Sequence, residues 1–285
     1  MCDRYFCQSL KLENASRKPK NMPRMNRRKA ISLGVAGILG LSGWFAPSAH
    51  AAWPFRKQYG MFIVHADFAP DGYLPLFEEL VGLRDEVANR LGITPCNEQI
   101  DVYLFSSKPV YENYMSRYFP GVSPRRAMFI KSNSPGNVFA YASRDIATDL
   151  RHETTHALLH ASLPMVPLWL DEGLAEYFEV PAAQRERGNP YARSTRRELT
   201  WKRPTPLAQL ERMTKLQQMG SSEYREAWSW VHFMLHGPEP ARVALHDYFE
   251  SVQRHEPPMP LSQSLGTKLR SPEHALATHF GATRR

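Results

Sequence analysis

Residues 61–68 form a short apolar run that predicts a strand, and Leu76, Leu80, Leu83, Val87 and Leu91 then recur at helical spacing until Gly92 offers a C-terminal stop. Ile100, Val102 and Leu104 alternate with Asp101, Tyr103 and Phe105, the period-two signature of a second strand. Residues 110–118 read as a short helix. Two β-type runs, 126–131 and 137–143, flank Ser132-Asn133-Ser134-Pro135-Gly136 and predict a hairpin. From Asp145 the period changes. Ile146, Leu150, Ala157 and Leu158 mark one side of a helix reaching about residue 161, and Pro164 and Pro167 break it. A second helix is predicted over 171–180, with further helices near 206–219, 223–236 and 241–253. The polar stretch 183–203 reads as an exposed excursion. Strands first and helices afterwards predict an α+β domain with two lobes, a mixed β-sheet with the 145–161 helix followed by a mainly helical C-terminal lobe.

The formal charge of +8 does not belong to the folded part. Residues 1–51 carry nine Lys or Arg against Asp3 and Glu13, which leaves 27 basic and 26 acidic residues in 52–285. That near-neutral balance argues against a nucleic-acid partner, because phosphate binding needs a cationic surface, and it leaves room only for a local basic patch. Arg27, Arg28 and Lys29 precede the apolar run 30–46, and Ala49-His50-Ala51 supplies small residues for cleavage, as in a signal peptide. The run is too short and Gly-rich for a stable membrane span. The expected organisation is an N-terminal extension and leader over 1–51, with Met25 as an alternative start, and one domain over 52–285 divided into lobes 52–161 and 162–285. The paired arginines resemble a twin-arginine leader, so the expected location is periplasmic or extracellular. Cys2 and Cys7 would leave with the leader, and Cys96 alone cannot form an intrachain disulfide.

The chemistry lies in His152-Glu153-Thr154-Thr155-His156. On a helix the two histidines fall one turn apart on one face, where both can grip one ion, and Glu153 is placed to take a proton from water. A catalytic zinc site has three protein ligands and an open position. His160 repeats the spacing of four but sits two turns from His152, so it cannot complete a tetrahedron with both. Leu159 and Ser162 stand where a metzincin requires Gly and His.

The following segment, Trp169-Leu170-Asp171-Glu172-Gly173-Leu174-Ala175-Glu176-Tyr177-Phe178-Glu179, together with the histidine motif, resembles the peptidase MA-like gluzincins, which include aminopeptidase N and bacterial exported proteins. The specific likeness covers about residues 149–237. It implies a zincin-like fold and one zinc per chain held by His152, His156 and Glu172, with Glu153 as general base. It also implies that Glu176 accepts the far N–H of a zinc-bound histidine. Tyr224, at the start of a later helix, resembles the family's oxyanion-donating tyrosine. The Lys-Gly that follows it in the family is here Glu226-Ala227. The amine-binding strand of aminopeptidases has no acidic counterpart in Gly136-Asn137-Val138-Phe139-Ala140-Tyr141, so the resemblance implies an endopeptidase of peptide or protein substrates, with 137–143 as an edge strand for pairing.

Other readings stay open at this level. Glu172, Glu176 and Glu179 can form a solvated acidic stripe, and Asp149 and Asp171 have the right chemistry to back a metal-bound histidine, but no motif distinguishes them from capping or surface acids. Tyr224 can pack beside Trp228, leaving His232 as the alternative donor. The whole can be a binding or assembly protein of the envelope that has lost catalysis, or a hydrolase of a cell-wall or lipid substrate.

Overall fold

The computed structural model describes residues 53–95, 97–123, 125–131 and 136–281. The leader, Met25, Cys2, Cys7, Cys96 and the hairpin turn 132–135 lie outside the described residues.

Five strands form one mixed sheet: β1 (Phe55–Tyr59), β2 (Phe62–Ala66), β3 (Ile100–Phe105), β4 (Ala127–Ile130) and β5 (Asn137–Tyr141). Their order is β1-β2-β3-β5-β4, with β2, β3 and β5 parallel and the outer strands antiparallel to their neighbours. The alternation read from the sequence sorts side chains to two faces. Ile100, Val102, Leu104, Phe129, Val138 and Ala140 join the main core, whereas Tyr103, Phe105, Met128, Ile130 and Phe139 join a smaller aromatic cluster with Tyr111 and Met115 of α2 (Lys108–Tyr118). Both faces are covered, as a sheet with parallel strands requires.

The expectation that 137–143 forms an edge strand is corrected. β5 is hydrogen-bonded on both sides, to β3 and to β4, and β4 is the outer strand. A hairpin pattern predicts that two strands pair and leaves open which of them docks on the rest of the sheet. β1 was not expected either.

Helix α1 (Leu74–Leu91) ends at Gly92, whose φ of 66° is the left-handed C-terminal conformation glycine adopts without strain. Against the sheet and α1 lies α3 (Ile146–Ser162), and α4 (Leu168–Phe178) packs on α3. Every residue of α3 from Asp149 to Leu159 is buried, as is every residue of α4 from Trp169 to Phe178. Neither is an ordinary surface helix with one wet side. The next layer is α7 (Ser221–His236), which crosses α4 closely at Gly173. A side-chain carbon at Gly173 would lie 2.8 Å from the Ala227 carbonyl oxygen, closer than real contacts allow. α8 (Glu239–Gln253), α9 (Leu261–Lys268) and α10 (Pro272–His279) complete the helical part.

Two predicted stretches differ from what forms. Residues 206–219 hold only α6 (Leu207–Glu211) and a turn of 3-10 helix at Leu216–Gln218. The excursion 183–203 contains α5 (Pro190–Leu199), whose Thr195 and Leu199 are buried, and its Arg185 is also buried. One apolar core runs from Tyr59 to Leu276 through both halves of the chain. Among the described residues no helix is long and apolar enough to cross a membrane.

Candidate metal centre

The one-turn spacing on α3 brings the Nε2 atoms of His152 and His156 to 3.3 Å of each other. Glu172, on α4, places Oε2 3.7 Å from each of them. Ligands about 2.0–2.2 Å from a tetrahedral ion lie roughly 3.3–3.5 Å apart, so this triangle matches three corners of such a site within a few tenths of an ångström. All three residues are buried, and neither carboxylate oxygen of Glu172 has a hydrogen-bond donor. A buried carboxylate without donors is costly unless a cation faces it. These side chains can hold a metal ion.

The remaining ring nitrogens are held by acids. His156 Nδ1 lies 2.8 Å from Asp171 Oδ1, and His152 Nδ1 lies 3.2 Å from Glu179 Oε2. Each contact favours a proton on Nδ1 and leaves the Nε2 lone pair directed at the triangle, the orienting role that acids play behind metal-bound histidines. Asp171 Oδ2 also meets His160 Nε2 at 2.9 Å. His160 therefore lies outside the triangle, tied to the acid behind His156.

The acid against His152 is thus Glu179 rather than Glu176. Both return to the same side of α4, and the crossing of α3 over α4 decides which one reaches the ring. Glu176 lies fully buried one turn past Glu172. Its pKa is pushed well above the ordinary carboxylate value, chiefly by burial and then by the negative charge of Glu179. A second donor grouping, His152 with Glu176 and Glu179, exists, but it has only one histidine and shares it with the first. The solvated-stripe reading of these three glutamates does not hold, because none is exposed.

The electrostatics call for positive charge. Burial alone would lower the pKa of His152, but Glu172, Glu179 and Glu153 together raise it well above 6.5. His156 is raised as well: burial opposes its charge, and Asp171 and Glu172 outweigh burial. Burial would raise Asp171, yet His156 and His160 hold it below the usual carboxylate range.

Two buried arginines fix the end of α4 that carries Glu179. Arg151 forms a two-pronged pair with Glu79 of α1, at 2.8 and 2.9 Å, and donates to the Glu179 carbonyl. Arg185 pairs with Glu86 of α1 and donates to the carbonyls of Phe178 and Val180. Cations at these last carbonyls satisfy orphan acceptors and suit the negative end of the helix dipole.

Glu153 points the other way from the α4 acids, toward the outer strand. Its Oε2 accepts the Phe129 N–H of β4 at 2.7 Å. Arg126, at the start of β4, binds Asp145 and, at 2.6 Å, Asp149. The Asp149 carboxyl is nevertheless raised to about 6, because burial outweighs Arg126. These ties set Glu153 and the sheet edge side by side.

Tyr224 is buried in the first turn of α7. It shares a helix face with Ala227, the residue against Gly173, and so lies on the side of α7 turned toward α4. His232 is occupied elsewhere, with Nε2 2.8 Å from the Glu186 carbonyl and Nδ1 2.9 Å from His279 Nε2.

Glu179, Arg151 and Arg185 were not singled out for these roles in the sequence, and Asp171 had the right chemistry there but no motif to mark it. Comparison with known protein families finds no matching family model, and no curated protein matches the chain significantly.

Proposed function

We propose that this chain is an exported zinc metallopeptidase of the gluzincin type with a zincin-like two-lobed fold, hydrolysing peptide bonds as an endopeptidase. One observation carries the reading: two histidine nitrogens and a donor-free carboxylate converge in a buried triangle of 3.3, 3.7 and 3.7 Å. Paired imidazoles with one carboxylate suit zinc, and this donor set leaves a fourth position open.

When bound, zinc supplies a Lewis acid that polarises a carbonyl and lowers the pKa of water toward about 7. Everything else falls to the chain's own groups. Glu153 accepts a proton from the attacking water and delivers it to the departing amine. The Phe129 N–H holds its carboxylate in place beforehand. Tyr224 donates its O–H to the oxygen of the carbonyl as negative charge builds there. Asp171 and Glu179 keep the two imidazoles in the Nδ1–H form and fix their planes. The outer position of β4, beside Glu153, supports an extended substrate lying along that strand.

The test is Glu153→Gln in the purified chain with a broad peptide library, run with and without chelator. We expect zinc content equal to wild type and hydrolysis lower by about 10²–10⁴-fold, since the amide cannot accept a proton. Equal activity in the two proteins would remove Glu153 from the mechanism. Activity indifferent to chelator, in protein shown to have lost its metal, would end the zinc reading.

A further inference from the structure

The net cationic excess of residues 52–285 is concentrated in one stretch of the chain. Residues 183–203 hold seven Lys or Arg against Glu186 and Glu198, while the rest of 52–285 holds twenty against twenty-four acids. Within that stretch α5 turns Thr195 and Leu199 inward, and Thr195 meets Ser229 of α7. Its outer side carries Arg193, Arg196 and Arg197, all exposed and at the three- and four-residue spacing that makes one face. Beyond the helix end come Trp201, 87% exposed, then Lys202 and Arg203, also exposed.

Most of this charge is unspent. Arg185 is buried and pairs with Glu86, Lys202 pairs with Glu198 and Glu226, and Arg187 with Glu186. Among the described residues Arg193, Arg196, Arg197 and Arg203 have no acidic partner. An indole left almost wholly in water is the second anomaly, since burial of large aromatic surface is strongly favourable. Neither feature serves the metal centre. The patch is nevertheless firmly mounted: Asn189 caps α5 by accepting the Tyr191 N–H and donates to the Glu176 carbonyl of α4.

We infer that the outer face of α5 with Trp201 is a docking surface for an anionic phospholipid bilayer. Arginines meet the headgroup charges, and the indole, apolar with one polar N–H, settles at the level of the headgroups. A helix face of three arginines followed by one exposed aromatic suits a planar anionic partner. Single-stranded nucleic acid is instead bound in grooves with several stacking rings. The attachment is peripheral and requires no spanning segment. It stands whether or not the metal centre is catalytic.

The test uses the full chain with vesicles of phosphatidylcholine alone or mixed with phosphatidylglycerol. Subtracting the emission of Trp201→Phe from that of wild type isolates Trp201 from the other tryptophans, and any affinity of the leader is common to both samples. Expected is a blue shift of this difference spectrum and its quenching by brominated acyl chains, with anionic vesicles only and reversed by salt. The triple variant Arg193→Gln, Arg196→Gln, Arg197→Gln alters exposed residues. It should weaken the Trp201 response about fivefold per charge removed, roughly a hundredfold in all. A Trp201 spectrum unmoved by anionic vesicles, or equally moved in the triple variant, would overturn the inference. So would a blue shift produced by a single-stranded oligonucleotide and not by lipid.

Discussion

Two groups of three histidines, each partly or fully buried, lie among the described residues, and they are opposite in character. His152, His156 and His160 on α3 face Glu172, Glu179 and Asp171. The pKa values of His152 and His156 are raised against the effect of burial. His232 and His236 on α7 and His279 on α10 face one another, a carbonyl oxygen and the Tyr177 hydroxyl. There burial prevails: His232 is lowered, and His236 and His279 fall to about 4. The residue type is the same, and the partners decide its use. Acids around imidazoles make a socket for a cation, whereas imidazoles against neutral acceptors stay uncharged and act as packing groups that also hydrogen-bond.

The largest effect that separates the groups is loss of the metal. His156→Ala should abolish zinc binding, measured by elemental analysis. It should also destabilise the fold by about 3–5 kcal/mol, because Asp171 and Glu172, both buried, each lose one of the two imidazoles that face them. In Tm this is roughly 10 °C for a domain of this size. His232→Ala should leave the zinc content unchanged. Zinc retained by the first variant would place the ion elsewhere.

Next in size is Tyr224→Phe, which keeps the ring and removes only the hydroxyl. If Tyr224 serves the oxyanion, kcat falls about 10²–10³-fold with KM and zinc content nearly unchanged. An unaltered kcat would assign Tyr224 to the packing of α7 on α4.

Smaller losses are expected behind the ligands. Glu179→Gln and Asp171→Asn should each weaken zinc affinity about 10–100-fold, read by competition with a chelator of known affinity. Glu176→Gln should change it least of the three, since that carboxyl already favours its neutral form. If Glu176→Gln proved the most damaging, it would displace Glu179 as the acid that orients His152.

The smallest effect belongs to the neutral group. His236 and His279 have pKa values of about 4 when folded against 6.5 ordinarily. Between those values the unfolded chain binds more protons, so their contribution to stability is present above pH 6.5 and is lost as the pH falls toward 4. Allowing for partial exposure, the loss is on the order of 1–2 kcal/mol for each. His279→Gln should flatten the dependence of Tm on pH between 6.5 and 4, and an unchanged slope would remove the histidine from that account.

The sequence made the long periodic helices legible, together with the hairpin and the one-turn spacing of His152 and His156, because these are local patterns. Other features were hidden for stated reasons. β1 is an edge strand whose Arg56, Lys57 and Gln58 are all exposed, so no alternation betrays it. α9 and α10 have eight residues each, too few for a period to stand out. Asp171 meets His156 across fifteen positions, and no spacing rule links residues on separate helices. Glu176 and Glu179 are equivalent in sequence, being four and seven residues after Glu172. Only the packing of α4 on α3, which brings Glu179 to 3.2 Å from His152 Nδ1, separates them.

The anchoring of α4 bears on whether this centre is portable. Glu79 and Glu86 stand two turns apart on α1, far away in sequence, and through Arg151 and Arg185 they grip the last carbonyls of the helix that carries Glu172 and Glu179. A graft of residues 146–180 into another scaffold would carry both sequence motifs and leave behind the struts that set their spacing. Any redesign that borrows the centre must borrow α1 with it.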